Sequence, residues 1–211
     1  MGTIKQGIFG EFTGKVGNVV GYTRNGANHV RIKAQKVHNP QTEKQQKQRG
    51  RFAAAMRFLK AVNPFIRIGY KNYAGKRTSY NAALSYLMSH AVKGNEEQNE
   101  IDFRRAMVSI GFLMPALDAS ATQSEGKMTF QWTDNTGTGN AEATDIAMIL
   151  IYNSEKGTAI YRQNAAIRTN GKAELPIPQE WDGNTLVPYL SFCSADGEEV
   201  SNSICLLQEN A

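Results

Sequence analysis

Short segments in which apolar and polar residues alternate recur through the second half of the chain, and they constrain its fold more than any other feature. A period of two residues is typical of β-strands with one buried face. Turn-forming pairs rich in Asp, Asn and Gly separate the segments. We predict a β-sandwich of the immunoglobulin or fibronectin type III kind, with Trp132 as a core anchor and Tyr189 as a tyrosine corner. Its seven strands cover residues 106–113, 127–132, 145–152, 158–162, 172–175, 185–193 and 200–207.

The only two cysteines, Cys193 and Cys205, both lie near the end of this predicted sandwich. We expect two free, partly buried thiols. If the last hairpin turns at Asp196-Gly197, Cys193 faces Val200 and does not face Cys205.

A basic, glutamine-rich run, NPQTEKQQKQRGRFAAAMRFLKAVNPF, begins at Asn39 and predicts a helix. A proline is tolerated in the first helical turn, so either Asn39 or Thr42 is the expected cap. From Phe52 onward, apolar residues recur three or four positions apart, which predicts one buried stripe. We expect the helix to end at Asn63-Pro64.

The first half of this helix, residues 43–51, is polar on every side. Its glycine, Gly50, costs roughly 1 kcal/mol of helix stability relative to alanine. This half is either a solvated helix end or a docking face for nucleic acid or for an acidic protein surface. Its glutamines fit a polar protein interface better than a phosphate track, because long-range attraction needs charge.

Glycines recur in the first 26 residues with short apolar pieces between them, which indicates an extended, turn-rich start. Asn25-Gly26 tolerates positive φ at both central positions of a type I′ turn. We therefore predict a hairpin in which residues 16–23 pair with residues 28–35, with one basic face. The segment GKVGNVVG does not have the spacing of a phosphate-binding loop, and it opens a hairpin instead of a helix.

A second helix is predicted to begin with Ser79 as its cap. Its apolar face comprises Tyr80, Leu84, Leu87, Met88 and Ala91. Tyrosines lie close to basic residues along this region and in the loop before it. They either pack the helices together, with the cations reaching past them to solvent, or stack on single-stranded nucleic acid.

The sign of the charge reverses at residues 94–100, GNEEQNE, where apolar residues also disappear. Residues 1–93 hold ten lysines and seven arginines against Glu11 and Glu43, a net charge of +15, whereas residues 94–211 have a net charge of −10. Such asymmetry indicates separate modules, modules that attract each other, or copies that stack head to tail. We predict an α+β chain in three parts: a basic hairpin and two-helix module (1–93), a linker (94–100) and an acidic β-sandwich (101–211).

The sequence offers no set of residues suited to catalysis. His29, His38 and His90 have neither ligand nor triad spacing, and the common hydrolase, zinc-protease and calcium-loop motifs are missing. We therefore expect a non-enzymatic protein with no catalytic residue, cofactor or metal. The start, MGTIKQGIFGEF, lacks the apolar run of a secretory signal, and no stretch approaches the ~18 apolar residues of a membrane span. The expectation is synthesis in the cytoplasm and no membrane partner.

Three stretches, GKVGNVVGYTRNGANHVR, NPQTEKQQKQRGRF and PQEWDGNTLVPYLSFCSADGEEVSNSICL, resemble a family of uncharacterised Bacteroidota proteins that is classed as a domain of unknown function. The resemblance spans nearly the whole chain and implies no activity. The run from Asn39 to Arg49 is also similar to a short NPxTxxQxxxR segment in small structural proteins of tailed phages and prophages. This second resemblance implies a structural role in a virion or mobile element.

The leading functional prediction is a structural or adaptor protein whose basic N-terminal module assembles on itself or on a larger particle, with the virion as a destination. The alternative is a nucleic-acid-binding protein that uses the basic helix and the loop after it. A third option is that the sandwich loops bind a glycan or a surface protein through Trp181 and Tyr161. The candidate interaction surface comprises Arg24, Arg31, Lys33, Lys44, Gln45, Lys47, Gln48, Arg51, Arg57, Lys71, Lys76 and Arg77.

Overall fold

The computed structural model describes residues 3–4, 12–24, 26–34, 41–94 and 99–207. These residues form two helices and several antiparallel sheets, which confirms the predicted α+β class. The chain divides into two compact units, Met1–Thr42 and Glu43–Ala211. The helices are α1 (Glu43–Gly69) and α2 (Ser79–His90). The strands are β1 (Thr3–Ile4), β2 (Phe12–Val16), β3 (Val19–Arg24), β4 (Ala27–Ile32), β5 (Val92–Gly94), β6 (Asn99–Ile101), β7 (Leu117–Ser124), β8 (Lys127–Thr133), β9 (Ile146–Asn153), β10 (Thr158–Ile167), β11 (Lys172–Pro176), β12 (Leu186–Cys193) and β13 (Ile204–Cys205).

The first unit is a four-stranded antiparallel sheet in the order β1-β2-β3-β4. Arg24 faces Ala27 where β3 pairs with β4, which confirms the predicted pairing, while Asn25 of the predicted turn lies outside the described residues. The first strand of that hairpin was predicted too long, because the chain already reverses at Gly17 and Asn18. Gly17 has a φ of +57°, a left-handed conformation that glycine adopts without steric cost.

Helix α1 begins directly after Thr42, in agreement with the second of the two predicted caps, while Asn39 lies outside the described residues. The prediction that the helix ends at Asn63-Pro64 is wrong, since α1 continues to Gly69. Proline removes one backbone hydrogen bond, but the buried stripe continues through Phe65 and Ile66. The Pro64 carbonyl also accepts a 2.9 Å hydrogen bond from Gln163 Nε2.

Helix α2 is capped by Thr78 and not by Ser79. The Thr78 hydroxyl accepts a 3.2 Å hydrogen bond from the backbone N–H of Asn81. The buried side of α2 carries Leu87, as predicted, together with two alanines. Strands β5 and β6 pair antiparallel, with Val92 opposite Ile101, so the chain on either side of the predicted linker at 94–100 is paired, while residues 95–98 of that linker lie outside the described residues.

A four-stranded sheet, β10-β9-β12-β13, and a three-stranded sheet, β11-β8-β7, form the rest of the second unit. Strand β9 shows how they pack, because its side chains alternate between two cores. Ile149 and Ile151 join a cluster with Trp132 and residues of both sheets. Leu150 and Tyr152 join a second cluster with the buried stripe of α1.

The seven predicted strands agree with the structure for five segments, β8 to β12. Residues 106–113 are not a strand. Their backbone groups form hydrogen bonds with the end of α1 and with serines near the C-terminus, and not with a neighbouring strand along their length. Ile110 N–H donates to the Gly69 carbonyl at 2.8 Å, and Val108 N–H donates to Ser203 Oγ at 2.9 Å. The first strand is instead β7, whose sequence LDASATQS has almost no apolar alternation. Strand β13 is shorter than predicted, with only two residues.

The predicted module of residues 1–93 does not correspond to a unit of the structure. Both helices share a hydrophobic core with β9 and β12, and the division falls after Thr42. The physical reason is the stripe on α1, which needs an apolar partner. It finds one in Tyr152, Val187 and Tyr189 on the outer face of the four-stranded sheet.

Cys193 and Cys205 are free thiols, and Cys193 pairs with Val200, as predicted. Trp132 is buried in the inter-sheet core. Tyr189 is buried but does not form the predicted tyrosine corner, which bonds a nearby backbone group. Its hydroxyl donates at 2.8 Å to the carbonyl of Phe103, which lies far upstream in sequence.

Candidate interaction surface

The N-terminal sheet has two faces of opposite character, and its strand register assigns residues to each. Cross-strand partners share a face, and neighbouring residues in a strand alternate between faces. Val16 pairs with Val19, and Val19 pairs with Ile32, so these three side chains share one face. Every residue that the register places on this face is uncharged: Phe12, Gly14, Val16, Val19, Gly21, Thr23, Asn28, Val30 and Ile32.

Three apolar side chains of this face are solvent-exposed. Val16, Val30 and Ile32 expose 48%, 63% and 78% of their surface. Gly21 allows Phe12 to lie close to the sheet, since a Cβ at that position would stand 2.3 Å from the Phe12 carbonyl oxygen and 2.7 Å from its phenyl ring. Exposed apolar side chains gathered on one surface are typical of interaction sites.

The opposite face is basic and aromatic. Lys15 and Arg31 both pair with Val20, and Tyr22 pairs with His29, so all of these side chains share the second face. The Tyr22 and His29 rings are stacked, with centroids 5.3 Å apart. Alternation adds Arg24 and Lys33 to this face, and the Lys33 backbone continues the ladder by donating to the Asn18 carbonyl at 2.7 Å.

Predicted surface residues Lys44, Gln45, Lys47 and Gln48 lie in the first turns of α1, and all four are exposed. Burial begins at Ala55. The polar first half of the helix therefore has the exposure that the sequence predicts, even though its second half is covered.

Arg51, Arg57 and Lys71, also predicted for the surface, are held by acceptors of the same unit. Arg51 donates to the carbonyls of Met88 and Val92, each at 3.3 Å. Arg57 donates to the Glu155 carbonyl at 2.8 Å. These contacts tie α1 to α2, β5 and the loop after β9.

Lys71 lies in the loop between the helices and forms a 3.0 Å ion pair with Glu198. The neighbouring side chain, Asn72, donates to the Glu198 carbonyl at 2.6 Å. Both contacts attach this loop to the turn before β13. Lys76 and Arg77 lie exposed in the same loop.

The tyrosines of the helical region mostly serve packing, which was one of the two predicted alternatives. Tyr70 is fully buried, its hydroxyl donates to the Met107 carbonyl at 2.9 Å, and burial raises its pKa. The Tyr80 hydroxyl contacts Met56 sulfur at 3.3 Å. Tyr73 remains 43% exposed. Of the two aromatic residues suggested for glycan binding, Trp181 is buried and Tyr161 is 37% exposed.

The net charge of the protein belongs to the first of the two units. Residues 1–42 hold six basic residues and Glu11, a net charge of +5, whereas residues 43–211 hold 18 basic and 18 acidic residues. The basic helices and the acidic strands therefore neutralise each other within one unit. Lys93, for example, donates to Asp102 at 2.6 Å, and this bond keeps the pKa of Asp102 below its usual range.

Two open clefts flank Arg57 on the second unit. One, of about 320 Å³, contains the ionisable side chains of Arg57, Glu100 and Tyr152, and burial raises the pKa of Tyr152. The other, of about 440 Å³, contains Arg57 and Lys60. In the part of the chain that the structure describes, no three His, Cys, Asp or Glu side chains gather as metal ligands. No helix in that part is long and apolar enough to cross a membrane.

Lys15, Tyr22 and His29 were not predicted as surface residues, although they share a face with three that were. The sequence contains the needed signal in the Asn25-Gly26 turn, because fixing that turn fixes which residues are cross-strand partners. Counting from it places Tyr22 opposite His29.

A family model described as a family of unknown function, DUF6266, matches residues 10–207. No curated protein and no solved structure matches the chain.

Proposed function

The chain belongs to this DUF6266 family of unknown function, and we propose that it is a non-enzymatic structural or adaptor protein. In this proposal the N-terminal sheet assembles the protein through its apolar face, and the occupant of that face is the same face of a second copy. The exposure of Val16, Val30 and Ile32 carries the proposal. The resemblance of residues 39–49 to phage structural proteins supports a place in a virion or mobile-element particle.

A sheet with one apolar face gains stability when a second layer covers that face. The first unit is also small, since 42 residues bury too little surface to stabilise a domain easily. Self-packing fits the chemistry of this face. Because the register places no charged residue on it, two copies can approach face to face without opposing like charges.

The size of the face predicts weak association. Strands β2 to β4 are spaced by about 4.8 Å and rise about 3.3 Å per residue, so the face covers roughly 300 Å² per copy. Two copies bury roughly 600 Å² in this way, below the ~1,200 Å² of stable complexes. The contact is therefore expected to be concentration-dependent, and to be reinforced where many copies assemble together.

Light scattering over a concentration series tests the proposal, with Ile32→Glu as the disrupting variant. Ile32 is 78% exposed, so the substitution changes the stability of a single copy by about 0.5 kcal/mol or less, yet it places a charge in the proposed interface. Phe112→Glu is the matched control, because Phe112 is 91% exposed and belongs to the second unit. We expect the wild type and Phe112→Glu to associate equally, and Ile32→Glu to remain monomeric. A wild type that stays monomeric at all concentrations, or association lost only with Phe112→Glu, overturns the proposal.

The two sheets of the second unit support the finer fold prediction of an immunoglobulin or fibronectin type III-like sandwich. A three-stranded β11-β8-β7 sheet and a four-stranded β10-β9-β12-β13 sheet share one core, as two-layer sandwiches do. In the proposed adaptor role, this sandwich is the part of the protein that is displayed to a partner. An experimental structure compared with sandwich domains tests this assignment, and a different strand connection would reject it.

A further inference from the structure

The basic face of the N-terminal sheet has the composition of a nucleic-acid-binding surface. Tyr22 and His29 form a stacked aromatic pair at its centre. Four cations share the face with this pair. Lys15 and Arg31 lie in the next row of this face on one side of the rings, and Lys33 lies beyond that row. Arg24 lies in the next row on the other side of the rings.

The electrostatics of this surface are one-sided. Among the described residues 12–24 and 26–34 there is no carboxylate side chain. The net charge of the whole protein, +5, equals that of residues 1–42, because residues 43–211 are neutral. An anionic partner is therefore attracted to this unit in preference to the other.

We propose that this face binds single-stranded nucleic acid, with Tyr22 and His29 as the base-stacking platform and Lys15, Arg24, Arg31 and Lys33 as the phosphate contacts. Exposed rings on a sheet, flanked by cations, are how single strands are held without sequence preference. The rings favour a single strand over a duplex, because the base faces in a duplex are already occupied by their neighbours. An acidic protein surface satisfies the cations but gives the aromatic pair no role.

The dimensions fit a short segment of strand. Lys15 and Arg31 flank Val20 of β3 in one row, and Arg24 is four residues further along β3. At about 3.3 Å per residue this separation is roughly 13 Å. The face is smaller than a whole OB-fold, so its site size falls at the low end of the range for such folds, about four nucleotides. The site does not require self-association, because the face that we propose for assembly is the opposite one.

Fluorescence anisotropy of the full chain with a labelled oligothymidine tests the proposal. We expect binding whose affinity falls with salt, with a slope of about −0.7 in log K per phosphate contact and therefore about −2.8 for four cations. A duplex of the same length is expected to bind more weakly. Arg31→Ala is expected to reduce the slope by about 0.7.

The aromatic pair is tested by Tyr22→Ala and Tyr22→Phe. Removal of one stacking ring is expected to weaken binding about 5- to 150-fold, whereas the phenylalanine variant keeps the ring and its affinity. Arg67→Ala is the matched control for Arg31→Ala, because Arg67 is an exposed arginine on α1. Thermal melting shows whether each variant is folded.

Three results overturn the proposal. They are the absence of binding at low salt, equal affinity for single strand and duplex with no effect of Tyr22→Ala, and an equal loss of binding in Arg67→Ala and Arg31→Ala. The last result would mean that binding follows overall charge and not this face.

Discussion

Substitution of Phe58 by alanine tests whether the helices and the strands form one folding unit. Phe58 lies on α1 and is fully buried. Its ring centroid is 4.9 Å from that of Tyr152 on β9 and 6.4 Å from that of Tyr189 on β12. A buried Phe→Ala substitution costs about 3–5 kcal/mol, since it removes apolar contacts and leaves a cavity. For a unit of this size, each kcal/mol shifts the melting temperature by about 2–4 °C, so we expect a decrease of roughly 6–20 °C.

Two spectroscopic signals separate the layers in this experiment. Far-UV circular dichroism reports α1 and α2. Tryptophan fluorescence reports the strands, because Trp132 and Trp181 both lie in the core between the two sheets. One folding unit predicts that both signals shift together in Phe58→Ala, although neither tryptophan belongs to the core of Phe58.

Phe52→Ala is the matched control, since Phe52 is on the same helix and 45% exposed. We expect it to cost about 1 kcal/mol or less. A Phe58→Ala variant that lowers the midpoint of the dichroism signal and leaves the fluorescence midpoint unchanged would refute a single folding unit. That result would restore the helices to a module of their own.

Two further predictions concern the charged groups of the second unit. Arg168→Met removes a guanidinium that is fully buried and 3.0 Å from Asp145. We expect a loss of about 3–5 kcal/mol in urea unfolding, and replacing Asp145 with leucine as well restores part of it, because Asn135 and the Met114 carbonyl also lose their bonds to Arg168. Equal losses in the single and double variants would contradict this. Glu174 has a pKa of about 2, because Lys172 and Lys127 bond its carboxylate. The stability that these bonds contribute is therefore present above pH 4.5 and is lost as the pH falls towards 2. An NMR titration of Glu174 checks this: Lys172→Met is expected to raise the midpoint, and a midpoint near 4.5 in the unsubstituted protein would show that the bonds are not formed.

Local patterns in the sequence predict the parts of this fold that depend on near neighbours. Asn25-Gly26 predicts a tight turn from sequence, and the predicted pairing of β3 with β4 is the one that the structure shows. Strands β8 to β12 are predicted because their alternation or apolar runs are strong. Strand β7 is missed, because its residues are small and polar and its ladder with β8 depends on a partner.

Tertiary contacts decide what the local pattern leaves open. The stripe on α1 shows that the helix needs an apolar partner, but nothing in it identifies β9 and β12 as that partner. The same contacts carry the helix past Pro64, where propensity alone predicts an end. Arginine is seldom fully buried, yet Arg168 is, with its guanidinium 3.8 Å from the Phe192 ring centroid.

The candidate interaction surface also contains residues whose contacts depend on distant partners and residues whose positions follow from a local turn. Arg51, Arg57 and Lys71 are found by composition, but their acceptors lie between 37 and 127 positions away in sequence. Their roles therefore could not be read locally. Arg24, Arg31 and Lys33 share a face that the turn register does define, and the same register adds Lys15, Tyr22 and His29.

Hydrogen–deuterium exchange at two protein concentrations tests most directly whether the N-terminal sheet is the assembly interface. The concentrations, about 1 μM and about 200 μM, differ enough to change the occupancy of a weak contact. We predict that amides in residues 12–34 exchange more slowly at the higher concentration, while those of β9 exchange at the same rate at both. Unchanged exchange in residues 12–34, or protection gained only in the second unit, would contradict the account.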